Sequence, residues 1–132
     1  MFLLDTNVIS ELRRRGPLGA VVAWLQNKDL YLSAVSLGEL QARVEITRTQ
    51  DSAKAAEIEA SIDQVAATWN VLPMDAATFR CWARLMHGRQ DDLLEDAMIA
   101  ATAVIHDLTV VTRNLRDFRP FGVRTLDPFR TI

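Results

Sequence analysis

Short apolar segments alternate with longer segments of helical periodicity along most of the sequence. Antiparallel strands can follow one another through a tight turn, whereas parallel strands need a long connection, which is usually a helix. The alternation therefore predicts an α/β fold in which helices cover both faces of a central parallel sheet of about four to five strands. A chain of 132 residues also fits one domain of ordinary size, and we predict a single domain over residues 1–132.

The predicted strands are rich in Leu, Val and Thr, and several predicted helices begin next to a polar residue that can cap them. We predict strands at residues 2–4, 30–33, 70–72, 109–112 and 123–126. We predict helices directly after Asp5, from Ser36, over 51–69, from Asp75 to about Gly88, and over 95–106. The last of these is apolar almost all round, which is typical of a buried helix. In such sheets ligands bind outside the carboxyl ends of the strands.

Four acidic residues lie beyond predicted strand ends or on the helix turns there, and each also has an ordinary structural interpretation. Asp5 can cap the first helix, and Glu39 completes a Ser-x-x-Glu capping box with Ser36. Asp96 stands where a helix dipole favours a carboxylate, and Asp117 suits a turn. From position alone, both interpretations stay open for each residue.

Taken together, the four acids point to a metal site at one edge of the sheet. Carboxylates brought close to one another raise each other's pKa unless a cation neutralises them. Oxygen ligands of this kind suit Mg²⁺ or Mn²⁺. A zinc site is not indicated, because His87 and His106 lack metal-ligand spacing and are interpreted as structural.

The net charge of −2 does not by itself indicate nucleic-acid binding, but 13 of the 15 cationic residues are arginine. The planar guanidinium of arginine matches phosphate with two parallel hydrogen bonds. We note two groups, Arg13, Arg14 and Arg15 near the start and Arg113, Arg116 and Arg119 near the end. Both can be solvated surface, or they can hold phosphates beside a metal site.

Cys81 is the single cysteine, so an internal disulfide is excluded and a reducing compartment is expected. The N-terminus lacks the features of a secretory signal, and the longest apolar stretch, Ala97–Ile105, is too short to span a bilayer. We therefore expect a cytoplasmic protein that does not engage a membrane.

Four motifs occur in order between residue 2 and Pro128: LLDTNVISEL at 3–12, VSLGEL at 35–40, EDAMIAATA at 95–103 and VTRNLRDF at 111–118. Together they resemble the PIN-domain family, in particular the VapC/FitB-like toxins of bacterial toxin–antitoxin pairs. One motif alone is weak, but four in family order over nearly the whole chain are specific.

The resemblance implies a three-layer α/β/α fold and a metal-dependent endoribonuclease that cuts RNA with Mg²⁺ or Mn²⁺. It implies a homodimer that is inhibited by a cognate antitoxin protein. The faces around Trp24, Trp69 and Trp82 are candidates for the dimer interface, although core packing explains these residues equally well. It also implies site roles for two sets of residues: catalytic and metal-binding for Asp5, Glu39, Asp96 and Asp117, and supporting for Thr6, Ser36, Thr112 and Asn114. We further hypothesise that Arg113, Arg116 and Arg119 bind RNA or the carboxylates of the antitoxin.

Three other classes of protein also combine an α/β fold with acids at strand ends or share the PIN-like fold. A response-regulator receiver needs a paired acid at the first strand and a lysine after the last, whereas Asp5 is not doubled and Lys28 and Lys54 are misplaced. A haloacid-dehalogenase-like phosphatase needs an aspartate where this chain has Asn7. A PIN-like module that binds RNA or protein without cutting stays the alternative from a different functional class.

Overall fold

The computed structural model describes residues 1–14, 16–26 and 28–130, and its centre is a five-stranded sheet. The strands are β1 (Phe2–Leu4), β2 (Leu30–Ser33), β3 (Asn70–Leu72), β4 (Thr109–Val111) and β5 (Thr125–Leu126). Their order in the sheet is β3-β2-β1-β4-β5, and all four pairings are parallel. The predicted fold class and the number of strands are confirmed.

Helices occupy every connection between strands. The final connection is the shortest and contains only a four-residue helix and a 3₁₀ turn at Arg119–Phe121. The helices are α1 (Thr6–Arg13), α2 (Gly19–Leu25), α3 (Ala34–Arg48), α4 (Ser52–Thr68), α5 (Ala76–Met86), α6 (Leu94–His106) and α7 (Leu115–Phe118). The predicted caps of α4 and α5 are present, since Asp51 accepts from Lys54 N and Asp75 accepts from Thr78 N, each at 3.0 Å. The sequence did not predict α2 or α7.

The β1 strand separates two hydrophobic cores because successive side chains of a strand point to opposite faces. Leu4 belongs to the core formed with α1 to α4, and Leu3 belongs to the core that contains residues of α6 and α7. Both leucines are fully buried. The predicted arrangement of helices on both faces of the sheet is therefore confirmed, and Trp24, Trp69 and Trp82 pack against these cores.

Helix α6 is buried over most of its length, as predicted, but its last turn is not. Ala97, Ile99, Ala100 and Ala103 lie in one core, whereas Val104 and Ile105 are exposed to 49% and 40%. Among the residues that the structure describes, no helix combines the length and the apolar character needed to cross a membrane.

The two leucines of β1 provide a test of the two-sided core. Replacing Leu3 or Leu4 with alanine removes a fully buried side chain, so each variant should lose about 2–5 kcal/mol of unfolding free energy. Denaturant unfolding monitored by circular dichroism measures this loss. Ile46→Ala is the matched control, because Ile46 is 67% exposed and its removal should change the stability by less than about 0.5 kcal/mol. A loss confined to one leucine would contradict a core on both faces.

Candidate active site

The candidate site lies where the strand order reverses. The chain builds β1, β2 and β3 outward in one direction and then returns to place β4 on the other side of β1. A crevice opens at such a switch point, outside the carboxyl ends of the strands. Asp5 directly follows β1 and Thr112 directly follows β4, and the backbone N–H of Asp5 donates to Val111 O at 2.9 Å. The fold thus places residues more than a hundred positions apart at one point.

Asp5 is held by three donors and is only 5% exposed. Its Oδ1 accepts from the backbone N–H of Thr6 at 2.8 Å, which is the predicted cap of α1. Its Oδ2 accepts from the Thr112 hydroxyl at 2.8 Å and from the Asn7 amide at 3.1 Å. Burial nevertheless raises the pKa of Asp5, and the charge of Asp117 adds to the rise. Desolvation therefore outweighs three hydrogen bonds that favour the ionised form.

Glu39 is connected to Asp5 through the neighbouring Thr6. Thr6 Oγ1 lies 2.9 Å from Glu39 Oε1 and 2.9 Å from Ser36 Oγ. An ionised carboxylate only accepts hydrogen bonds, so the single Thr6 proton goes to Glu39 and Ser36 supplies its own proton to Thr6. Burial raises the pKa of Glu39, as do the charges of Asp5 and Glu95, although the Thr6 bond opposes them.

The predicted capping box of Ser36 and Glu39 is wrong. Helix α3 begins two residues earlier than predicted, and its cap is Ser33, whose Oγ accepts from Val35 N at 3.1 Å. Ser36 is consequently inside the helix and buried, and Glu39 has no capping role. The structural explanation that competed with a site role for Glu39 is thereby removed.

Asp96 lies in the first turn of α6, as predicted, and has the most perturbed carboxyl group of the four. Burial raises its pKa to about 7, with further contributions from Asp5, Asp117, Glu39 and Glu95. The favourable dipole at the N-terminus of α6 is too weak to compensate. Asp5, Glu39, Asp96 and Asp117 therefore lie close enough for their charges to interact.

Asp117 lies on α7 rather than in the loop that was predicted there. Its backbone N–H donates to Asn114 O at 3.1 Å, and the N–H of Asn114 donates to Thr112 Oγ1 at 2.9 Å. Thr112 in turn donates to Asp5. The predicted supporting residues therefore form two short chains of hydrogen bonds, one from Asp5 through Thr112 to Asn114 and one from Ser36 through Thr6 to Glu39.

The donors available to a cation are all oxygen atoms of carboxylates and hydroxyls, the set that Mg²⁺ and Mn²⁺ prefer. Asp5 is buried and the other three acids are half-buried, and a divalent cation would relieve the repulsion between their charges. Within residues 1–14, 16–26 and 28–130, no three His, Cys, Asp or Glu side chains already converge as a metal-holding group. The fit therefore rests on the donor chemistry and on the coupled charges, and not on preformed coordination geometry.

The predicted arginines line two clefts next to the acids. Arg113, Arg116 and Arg119 share a cleft of about 390 Å³ with Asp117. Arg13 and Arg14 share a cleft of about 500 Å³ with Asn7. Arg15 lies outside the described residues.

Sequence reasoning missed several polar residues of this region. Asn7 donates to both Asp5 Oδ2 and Thr112 Oγ1, and its Oδ1 accepts from Arg113 N at 3.2 Å. Glu11 is buried, and its pKa is lowered by hydrogen bonds from Leu18 N and Arg14. The position of Asn7, two residues after Asp5, could have indicated that its side chain contacts Asp5. Nothing in the sequence around Glu11 indicates its burial.

Comparisons with known proteins agree with this geometry. The PIN domain family model matches residues 2–122. Toxin FitB of Neisseria gonorrhoeae is 36% identical over 98% of this chain and 99% of its own length. VapC ribonuclease Y4jK of Sinorhizobium fredii is 34% identical over 98% of each chain. The crystal structure of FitAcB from Neisseria gonorrhoeae superposes with a TM-score of 0.83 at 34% identity and covers 98% of this chain and 99% of the other. The chain therefore belongs to the PIN-domain family, within the group that contains the FitB and VapC toxins.

Proposed function

We propose that this protein is a metal-dependent endoribonuclease and the toxin of a toxin–antitoxin pair. The names of the full-length relatives, Toxin FitB and VapC ribonuclease Y4jK, support the toxin and ribonuclease assignments. The observation that carries the proposal is the position of Asp5, Glu39, Asp96 and Asp117 at the switch point of the sheet, close enough for the charges of the other three to raise the pKa of Asp96. Such a concentration of carboxylates repels a polyanion unless a cation is bound among them.

In this proposal, Asp5, Glu39, Asp96 and Asp117 hold Mg²⁺ or Mn²⁺. When bound, the ion lowers the pKa of the water that attacks the phosphorus and offsets the charge that develops on the phosphate. Asp5 is fixed in one orientation by Thr6, Asn7 and Thr112.

Glu39 is oriented by the Thr6 hydroxyl, and Asp96 reaches the same region from the first turn of α6. The protein would thus contribute carboxylate oxygens from helices that begin at one end of the sheet, and the phosphodiester is the bond that would be hydrolysed.

The partners follow from the same assignment. A toxin of this family is expected to pair with a small antitoxin protein, and the homodimer stays a prediction. A PIN-like module that binds RNA without cutting it is the competing proposal, and a cleavage experiment separates the two.

Asp96→Asn should abolish RNA cleavage while the fold is retained. Loss of a metal ligand should cost more than the 10–100-fold that is typical of a residue merely supporting one, so we expect a drop of at least about 100-fold. The purified protein is incubated with mixed RNA in Mg²⁺ or Mn²⁺, with EDTA as the metal-free reference. Asp92→Asn is the matched control, because Asp92 is an exposed acid in the 3₁₀ turn just before α6. Full activity of Asp96→Asn would remove Asp96 from the site. No cleavage by the folded wild-type protein on any RNA would favour the binding module.

The raised pKa of Asp96 makes a second prediction, on the stability of the metal-free protein. The pKa of about 7 in the folded protein lies above the ordinary aspartate value of 3.8, so between these pH values the folded state retains a proton that the unfolded state has lost. This contribution to stability is therefore present at low pH and is lost as the pH rises through about 7. Asp5 and Glu39 act in the same direction.

In EDTA, Asp96→Asn should therefore gain more stability relative to wild type at about pH 8 than at about pH 5. Addition of Mg²⁺ at the higher pH should stabilise wild type more than the variant, because only wild type has the complete site. Thermal unfolding measures both effects without any assay of activity. An equal difference between the two proteins at both pH values would show that the charge of Asp96 is not opposed by its surroundings.

A further inference from the structure

Three clefts adjoin the acidic site, and neighbouring clefts share an arginine. The first, which we name the glutamate cleft, contains Glu39, Glu95 and Arg43. The second, the arginine cleft, contains Arg43 again together with Asn7 and Arg113. The third, the α7 cleft, contains Arg113 again together with Asp117. Arg43 lies between the glutamate cleft and the arginine cleft, and Arg113 lies between the arginine cleft and the α7 cleft. The three clefts therefore follow one another past the acids.

The arginine cleft carries an excess of positive charge. Four arginines line it, Arg13, Arg14, Arg43 and Arg113, against the single acid Glu11, which leaves three positive charges. Glu11 is paired with Arg14 at 2.9 Å, so Arg14 is the neutralised member. This charge excess contrasts with the net charge of −2 of the chain.

Arg13 on α1 and Arg43 on α3 both line the arginine cleft. Arg13 Nε is buried without a hydrogen-bond partner, and its Nη1 reaches only Ser61 Oγ at 3.4 Å. Arg43 Nη1 reaches Ser10 Oγ at 3.4 Å, which is a weak contact for a charged donor. Burial and the charge of Arg43 lower the pKa of Arg13, as expected for cations that lack an anion between them.

Arg43 is also close to the acids. It follows Glu39 by one helical turn on α3, so the two side chains share a face of the helix. The positive charge of Arg43 partly offsets the rise in the pKa of Glu39. A group bound by Arg43 therefore lies beside a predicted metal ligand.

Arg113 is pre-organised for binding by its stacking on an aromatic ring. Its guanidinium carbon lies 3.7 Å from the ring centroid of Phe129, and Phe129 is held in place by a hydrogen bond from its N–H to Asp127 Oδ1 at 2.9 Å. Stacking uses one face of the guanidinium and leaves its hydrogen-bonding edge available to a planar or tetrahedral anion. The ordering of the long side chain has thus already taken place before a ligand arrives.

We infer that Arg43 and Arg113 bind two backbone phosphates of a single-stranded RNA, one beside Glu39 and the other beside Asp117, and that Arg13 adds to the positive charge between them. This inference rests on the proposed ribonuclease function and names the track by which that substrate reaches the acids. A ligand that occupies all three clefts must carry repeated negative charge and pass the acidic site. An RNA backbone meets both conditions, since its phosphates recur at every nucleotide.

The test is a binding titration that does not depend on cleavage. A short fluorescein-labelled single-stranded RNA of mixed sequence is titrated with full-length protein in a fixed, low concentration of Ca²⁺, a cation that takes oxygen ligands as Mg²⁺ does. Fluorescence anisotropy is recorded over a series of NaCl concentrations, and gel electrophoresis verifies that the RNA stays intact. Arg43→Ala and Arg113→Ala should each weaken binding about tenfold, as expected for the loss of a charge-assisted contact. Each should also reduce the slope of log K against log salt by about 0.7, the value for one phosphate of a single strand.

Arg124→Ala is the matched control, because it removes the same charge from the opposite edge of the sheet. Arg124 precedes β5 and pairs with Asp107 at 2.7 Å at the amino end of β4. Its removal should leave the affinity within about twofold of wild type, since a distant exposed charge is screened by salt. Circular dichroism of each variant verifies the fold.

Unchanged affinity and salt slope in the Arg43→Ala, Arg113→Ala double variant would overturn the inference, as would an equal effect of Arg124→Ala. Loss of affinity for an acidic antitoxin peptide with RNA affinity unchanged would also overturn it, in favour of a protein-binding surface. Cleavage by wild type on the same RNA, measured in Mg²⁺, separates the two proposals. If wild type cleaves but the double variant binds normally, the track is wrong and the enzyme stands. If binding depends on the arginines but wild type never cleaves, the RNA track is supported and the ribonuclease proposal is wrong.

Discussion

β1 pairs with β2 on one side and with β4 on the other, and both pairings run parallel with Leu4 opposite Leu32 and Val111. This register aligns the carboxyl ends of three strands that are far apart in the sequence. Asp5 and Thr112 directly follow β1 and β4, and Ser33 is the last residue of β2. The helices that start there carry Thr6, Ser36 and Glu39. The two hydrophobic cores fix β1 between the helical layers, so the position of Asp5, which directly follows β1, depends on the burial of this strand.

The site is a compromise between burial and charge. Asp5 accepts three hydrogen bonds, yet burial still raises its pKa, and Asp96 is raised to about 7 by burial together with four neighbouring acids. Protein cores tolerate buried polar groups only when they are paired, and here the pairing is by hydroxyl and amide donors rather than by basic side chains. Hydroxyls orient a carboxylate without cancelling its charge. The acids are thus held in place while their attraction for a divalent cation is preserved.

Positive charge is arranged around this acidic centre rather than within it. The chain is slightly acidic overall, but its arginines gather in the clefts next to the acids, where Arg13, Arg43 and Arg113 lack a carboxylate partner at salt-bridge distance among the described residues. In the proposed function, the periphery of such a site attracts a polyanion, and a cation at the centre offsets the repulsion between the acids and a phosphate. The separation of the two charges keeps the arginines from neutralising the acids directly, which salt bridges to Asp5 or Asp96 would do.

The sequence by itself determined the architecture and the family, and it predicted which acids form the site. Apolar strands alternating with helices allow few arrangements other than a covered parallel sheet, and four motifs in order named the family. The local capping residues Asp5, Asp51 and Asp75 were also readable, because a cap involves only neighbouring residues.

Only the tertiary structure decided which serine starts α3 and what Glu39 does. The capping-box pattern predicted a start at Ser36, but α3 follows β2 directly and Ser33 at the end of β2 caps it. Asp117 likewise moves from a predicted loop onto α7, whose Phe118 is fully buried in a core that no local pattern specifies.

The partnership of Asn7 with Thr112, and the charge excess shared by Arg13, Arg43 and Arg113, arise from residues that are distant in the chain. Periodicity and capping report interactions within a few residues, whereas contacts across the sheet exist only after the strands have paired.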